Sequence, residues 1–359
     1  MIDLSQARLV YIAPKAGESG VGDYADEFID AVRPHFGETV EFRHRGPGWA
    51  TLRQLLGQCR EVRRIVRDSD RHTIVHTEQS GGALLPFWGP LGLRGVQVTS
   101  TVHDPPLTVW WPFRTRIAAR IRILGHGIHY TFRRPLARLE TKVNRGRTLV
   151  ALSRTGAREL AVVMKGSTIA SSSLFVPKRP DLDPVTDRPM AIGLFGYVYR
   201  GKGFDVLADL REHLDPKITI RIAGRGTEEL PPLDGVEILG EVLDDDEDAF
   251  FNSIRLLLVP YNPRHIYGRE AFPAASTVSR AMAYSTPVLC RGHGALRELA
   301  EDGGAVVVDG GAAELAAAAN ELLNDPGRLV ELQAEADRLR TDHAAERVID
   351  DYLEIWRAG

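Results

Sequence analysis

Lys202 stands between two glycines in GLFGYVYRGKGFDVLADL, residues 193–210, a stretch that begins as a buried strand and ends as a helix. With Arg200 close by, cations and flexible backbone share one short turn, which suits an anion held at a helix N-terminus. Such a terminus carries roughly half a positive charge and unpaired N–H groups, and glycine lets the backbone approach closely. A surface lysine in a tight turn fits the same dipeptide. A second glycine turn, Gly17, Gly20 and Gly22 in KAGESGVGDYADEF, also leads into a helix. His103, in TVHDPP, follows an apolar strand and precedes two prolines that fix its loop; it either faces a substrate or bonds to Asp104. His76, Glu78 and Gln79 end another strand, where they hold an acceptor or tie loops together. Ser276 and Thr277 open a helix, where their hydroxyls bind phosphate or serve as an N-cap.

Other chemistries have no matching pattern. There is no Gly-x-Ser-x-Gly elbow for a serine hydrolase. His76, His103 and Asp104 follow no zinc or iron spacing, so no protein-ligated metal is expected. Cys59 and Cys290 are far apart in sequence and read as reduced thiols.

Short apolar runs alternate with helical stretches and position these residues. ARLVYIAP, HTIVHTE, VQVTSTVHD and RTLVALS read as buried strands, with a helix such as TLRQLLGQCREVRRIVRD between them. Tyr24, Phe28, Ile29 and Val32 follow helical spacing after the first glycine turn. The pattern restarts after VPKRPDLDPVTDRP, a Pro- and Asp-rich stretch without periodicity that reads as a linker. MAIGLFGYV, ITIRIAG, VEILGEV, IRLLLVPY, TPVLCRG and GAVVVDGG then follow as further strands. The expected organisation is α/β: a first Rossmann-like domain over 1–178, a linker over 179–190, a second such domain over 191–345 and a closing helix over 346–359. Parallel sheets of this kind bind ligands at the carboxyl ends of their strands, and a tandem pair would leave a cleft for the glycine turns to face.

The chain has 359 residues, 43% of them hydrophobic, which is enough for two cores. No apolar run reaches the roughly 20 residues of a membrane span, and no export signal opens the chain, so a cytoplasmic protein is expected. The net charge of −3 hides a split. Residues 1–180 carry 27 Lys and Arg against 15 Asp and Glu, the remainder 18 against 33. Residues 110–147 concentrate the basic side, with ten Arg and Lys and one acidic residue. Pro112 suits a first helical turn, after which Phe113, Ile117, Ile121, Leu124 and Ile128 share one face flanked by arginines, with Trp110 and Trp111 just ahead. That composition fits contact with an anionic membrane; packing on the first domain with the arginines solvated fits it equally. No nucleic-acid motif accompanies it, so nucleic acid is not an expected partner.

In the order of its pieces the chain resembles the retaining glycosyltransferases of the GT-B fold, family 4. FGYVYRGKGFDVLADL is similar to that family's strand–loop–helix, and IRIAGRGTEEL to its next strand and turn. LGEVLDDDEDAFFNSIRLLLVPY, AASTVSRAMAYSTPVLCRGHGALREL and the closing AAELAAAANELLNDPGRLVELQAEADR resemble segments that follow in the same order. In the first half, SGVGDYADEF and VHDPP resemble the first glycine loop and a His-containing loop. The resemblance implies two Rossmann-like domains and transfer of a sugar from a nucleotide-sugar to a glycan or lipid-linked acceptor, with no tightly bound cofactor. It further implies that Lys202 neutralises the donor diphosphate, that Gly20, Gly22 and Gly196 let backbone approach it, that Ser276 and Thr277 bind it, and that His103 positions the sugar.

The match is incomplete at three positions. Tyr197 stands where the family usually has an arginine, so Arg200 or Arg225 would supply a second cation. Arg280 and Phe272 stand where the family carries paired glutamates, and Glu270, two residues from Phe272, could serve as a donor-binding residue only in a longer loop. A GT-B protein that binds a nucleotide or glycan without turnover is therefore the alternative.

Overall fold

The computed structural model describes residues 1–199 and 201–359, the side chains of Arg122 and Leu124 excepted. The chain divides into two compact units, one of residues 1–173, 265–274 and 345–359, the other of residues 174–264 and 275–344.

The first unit is built on six parallel strands: β1 (Arg8–Pro14), β2 (Glu38–His44), β3 (Thr73–Gln79), β4 (Gln97–Val102), β5 (Thr148–Ala151) and β6 (Thr168–Ser171), ordered β2-β1-β3-β4-β5-β6. β1 and β3 are buried along their whole length, as strands covered on both faces must be. After β1 the helix Gly20–Val32 buries Tyr24, Phe28, Ile29 and Val32, and the Ser19 side chain caps it by accepting from the Gly22 amide. The helix Ala345–Ala358 packs on this same unit, with Tyr352 and Trp356 fully buried.

The basic stretch differs from its expected single helix. Pro112 and Phe113 lie ahead of three short helices, Arg116–Arg120, Arg122–Thr131 and Arg133–Asn144. The first break falls at Ile121, whose φ of −100° and ψ of 61° are not helical. Beyond it the Trp111 ring fills a notch at Gly125, where a Cβ would lie 2.3 Å from the ring. A wedged indole and a broken turn replace the continuous apolar face.

The second unit has its own six parallel strands: β7 (Ala191–Phe195), β8 (Thr219–Ala223), β9 (Val236–Gly240), β10 (Leu256–Val259), β13 (Val288–Arg291) and β14 (Ala305–Val308). Their order is β14-β13-β10-β7-β8-β9, so the winding direction reverses between β7 and β10. This is the strand order of dinucleotide-binding sheets, whose ligand site lies outside the carboxyl ends at that reversal. Between β10 and β13 come two short strands, β11 (Arg264–Ile266) and β12 (Arg269–Ala271), paired with each other. Of this segment, residues 265–274 lie with the first unit, where Ile266 and Ala271 pack against Leu107.

The stretch read as a linker over 179–190 is packed into the second unit. Val185 is fully buried and Arg188 is 2% exposed. The Arg188 guanidinium donates to the carbonyls of Asp183, Phe251 and Tyr284 and to the Thr286 hydroxyl, so lack of periodicity here marks an irregular core segment. Cys59 and Cys290 are buried free thiols. No described helix is long and apolar enough to cross a membrane.

Candidate functional site

Lys202 is 8% exposed and lies in the loop after β7, on the carboxyl side of the sheet reversal. Its ammonium donates to the Tyr261 hydroxyl and, at 3.4 Å, to Thr277 Oγ1. Tyr261 in turn donates to Thr277 Oγ1 at 2.6 Å. Tyr261 follows β10 and Thr277 begins the helix Ser276–Ala283, so three elements meet here. Gly203 allows the approach: its φ is 80°, and a Cβ would lie 2.2 Å from the Pro260 carbonyl oxygen. Gly196, with φ of 119°, lies where a Cβ would reach 3.3 Å from Thr277 Oγ1.

Among the described residues no carboxylate faces this ammonium. Burial lowers its pKa to about 7, and the Arg264 cation adds to the shift. A buried ammonium surrounded by hydroxyls and a second cation favours an incoming anion. The helix Ser276–Ala283 points the same way: its N-cap is Ala275, and no side chain caps its first turn. The capping alternative for Ser276 and Thr277 therefore does not hold. Thr277 is turned to Lys202, and Ser276 is exposed at the helix start.

In the first unit, Glu78 is fully buried at the end of β3. Its Oε1 accepts from the Tyr11 hydroxyl at 2.8 Å and its Oε2 lies 2.7 Å from His103 Nε2. Burial pushes this carboxyl upward, but hydrogen bonds and charge from His103 and His76 outweigh it and bring the pKa to about 2. Glu78 thus stays ionised at neutral pH and accepts a hydrogen bond from His103 Nε2, which orients the ring. Asp104 accepts from the Gly81 amide at 3.1 Å, and the partner of His103 Nε2 is Glu78. Beneath lies His76, bonded to Thr99 Oγ1 at 2.7 Å and Thr101 Oγ1 at 3.0 Å. Trp356 donates to Thr99 and Tyr352 bonds Thr101, which fixes the network from the helix Ala345–Ala358.

The remaining sequence candidates fall in several places. Gly20 and Gly22 are in the first turn of Gly20–Val32, and a Cβ on Gly22 would lie 2.1 Å from the Lys15 carbonyl oxygen. Glu270 is on β12, within residues 265–274 of the first unit, and is not part of the Lys202, Tyr261 and Thr277 group of the second. Arg200 lies outside the described residues. Arg225 pairs with Glu241 at 2.5 Å, its guanidinium over the Tyr197 ring. Arg280 pairs with Glu247 at 3.2 Å, and Arg179 reaches the same oxygen at 3.1 Å. Tyr261 and Arg264 carried no role in the sequence reading; the only signal was the Pro-Tyr that ends IRLLLVPY. Among the described residues no group of three or more His, Cys, Asp or Glu side chains is placed to hold a metal ion.

Residues 189–325, which hold the Lys202 group, match a family model described as glycosyl transferases group 1. No curated protein matches the chain by sequence. Among solved structures, HepE of Anabaena in complex with UDP and glucose is 13% identical with a TM-score of 0.65, over 98% of this chain and all of that one. AviGT4, a glycosyltransferase involved in avilamycin A biosynthesis, is 18% identical with a TM-score of 0.60, over 98% and 97%. A mutant of S. aureus TarM, in complex with fondaparinux, alpha-GlcNAc-glycerol and UDP, is 14% identical with a TM-score of 0.58 over 84% of this chain and 59% of that one.

Proposed function

We propose, with residues 189–325 matching the glycosyl transferases group 1 model and the chain sharing the fold of GT-B glycosyltransferases, that it moves a sugar from a nucleotide-sugar to a glycan or lipid-linked acceptor with retention. The observation that carries this reading is the buried Lys202 ammonium, set against hydroxyls at the sheet reversal with no described carboxylate to neutralise it. A departing nucleoside diphosphate supplies that counter-charge, and the ammonium stabilises it most as the sugar–phosphate bond breaks. The acceptor oxygen forms the new bond to the sugar carbon, and its proton passes to the departing phosphate on the same face. Thr277 and the uncapped turn that Ser276 opens, together with Gly196, receive the diphosphate; Gly20 and Gly22 keep their donor-binding role by the resemblance. Glu270 and Arg200 remain proposed donor contacts on the resemblance alone. His103, held by Glu78, hydrogen-bonds a hydroxyl of the transferring sugar through Nδ1.

UDP in two of the similar structures makes a UDP-sugar the first donor to try. A thermal-shift panel of UDP-, GDP- and other nucleotide-sugars tests the reading, because a true donor raises the melting temperature by mass action. No rise with any nucleotide-sugar would defeat it.

Arg280 favours a second reading, a nucleotide- or glycan-binding subunit without turnover. The position that resembles a ribose-binding glutamate holds an arginine already paired with Glu247. Donor hydrolysis by the wild type and by Lys202→Ala separates the two: equal, negligible rates in both favour binding without catalysis.

The apolar and basic surface over residues 110–147 supports peripheral contact with an anionic membrane, at the cytoplasmic face. Ile117 is 71% exposed and Ile123 92%, with Arg114, Arg116 and Arg120 in the same stretch.

A further inference from the structure

The three short helices over residues 116–144 leave two pockets side by side in the first unit. The larger, about 530 Å³, is lined by apolar groups that include Trp111, Ile121, Ile128, Phe132 and Leu139. The smaller, about 200 Å³, is lined by Trp110, Arg133, Arg134, Glu140, Tyr267 and Arg269, among others. His129 and Leu136 line both, so the two chambers adjoin.

Two buried polar atoms at this junction have no hydrogen-bond partner among the described residues. His129 is 3% exposed and its Nδ1 bonds to nothing described. Glu140 is 1% exposed; its Oε1 accepts from the Val109 amide at 3.0 Å, while Oε2 is left unbonded. A buried polar atom without a partner is costly, and native folds keep few of them. The rim of the polar chamber is strained as well: Trp110 has φ of 39° and Tyr267 φ of 50°, both in the left-handed region that side-chain-bearing residues rarely enter. Unbonded buried atoms and strained backbone around an opening are features of a place that completes itself with a ligand.

We propose that the paired chambers bind a lipid phosphate, its hydrocarbon chain in the apolar chamber and its phosphate in the polar one. Apart from the junction histidine and the Trp111 indole, the apolar chamber is lined by side chains of carbon alone, as a hydrocarbon chain requires. Arg133, Arg134 and Arg269 line the polar chamber and give it a positive charge suited to an anion. Burial raises the Glu140 carboxyl to about 7, against hydrogen bonds from the backbone of residues 108–110 and the Arg269 charge, so near neutrality a protonated fraction donates to a phosphate oxygen. Burial, helped by His126, lowers His129 to about 4, so it meets the ligand as a neutral ring. As the acceptor of the proposed sugar transfer this lipid rests on that functional reading; the binding itself does not.

Isothermal titration with octyl, decyl and dodecyl phosphate, each below its micelle concentration, tests the site on the full chain. Saturable binding is expected, strengthening about fourfold per methylene until the chamber is filled. Ala118→Phe, which narrows the apolar chamber, should weaken dodecyl phosphate at least tenfold. Arg134→Ser should weaken dodecyl phosphate several-fold and leave the residual affinity for dodecyl maltoside unchanged. Should Ala118→Phe lower the melting temperature, Ile128→Ser at an exposed position provides the same reading. Absence of saturation, equal affinity for dodecyl maltoside, or affinity unmoved by the chamber variant overturns the proposal. The UDP-sugar thermal shift, measured on the same samples, reports on Lys202 in the other unit and so fails or holds separately.

Discussion

Lys202 titrates in a direction that its surroundings dictate. Its pKa of about 7 in the fold is depressed from 10.5, so folding works against the charged form. The stability penalty is full below pH 7, shrinks as pH rises, and is gone above 10.5. Lys202→Met should therefore melt above the wild type at pH 6 without ligand, yet lose the UDP-induced rise; a variant that kept the rise would remove Lys202 from the donor site. For the wild type, an anion that restores the charge takes up a proton on binding. UDP affinity should stay flat below pH 7 and fall by about tenfold per unit above it, by titration calorimetry across that range. His103→Ala should cut turnover by about 10²-fold through lost positioning while leaving UDP affinity unchanged. Lys202 was legible in the sequence because glycine and cation share one short turn. The bond of His103 to Glu78 was not: it joins adjacent strands, and only strand order makes them neighbours.

At the scale of elements, the loop that carries Lys202 depends on backbone contact with the loop after β10. Gly203→Ala meets the Pro260 carbonyl oxygen and a left-handed φ at once. It should destabilise the second unit by about 1–3 kcal/mol, measured by urea unfolding, and weaken UDP binding. A stable variant with unchanged UDP affinity would show that this contact does not set the loop. Legibility of elements followed burial. β1 and β3, buried throughout, were plain as apolar runs, whereas β2 is half-buried along most of its length and β6 has exposed ends, so neither showed such a run. The three-residue strands β11 and β12 are too short to show a period. In the basic stretch helical spacing was real but the breaks at Ile121 and Phe132 were not visible, because neither carries a proline or glycine to mark it.

For the molecule as a whole, the charge split becomes a salt-dependent prediction. The protein should float with vesicles rich in phosphatidylglycerol at low salt and be released at 1 M, where the screening length is about 3 Å. Failure to float at low salt would end the membrane reading. The closing helix carries another prediction. Trp356 is fully buried in the first unit and donates to Thr99, so Trp356→Ala should cost that unit about 3–5 kcal/mol while leaving the UDP response of the second intact. Two α/β units were legible from the restart of the strand pattern at residue 191, but the return of residues 265–274 to the first unit was not, since it rests on packing of a few side chains against Leu107.

That closing helix also fixes an order of events during biosynthesis. The first unit lacks Tyr352 and Trp356 until residues 345–359 have left the ribosome, whereas residues 174–264 and 275–344 supply the whole of the second unit. At ordinary rates of translation the growing polypeptide spends roughly 10–30 s with its amino-terminal sheet made but lacking that helix. The half that is synthesised first is thus the half that finishes folding last, and any chaperone serving this protein has most to do there.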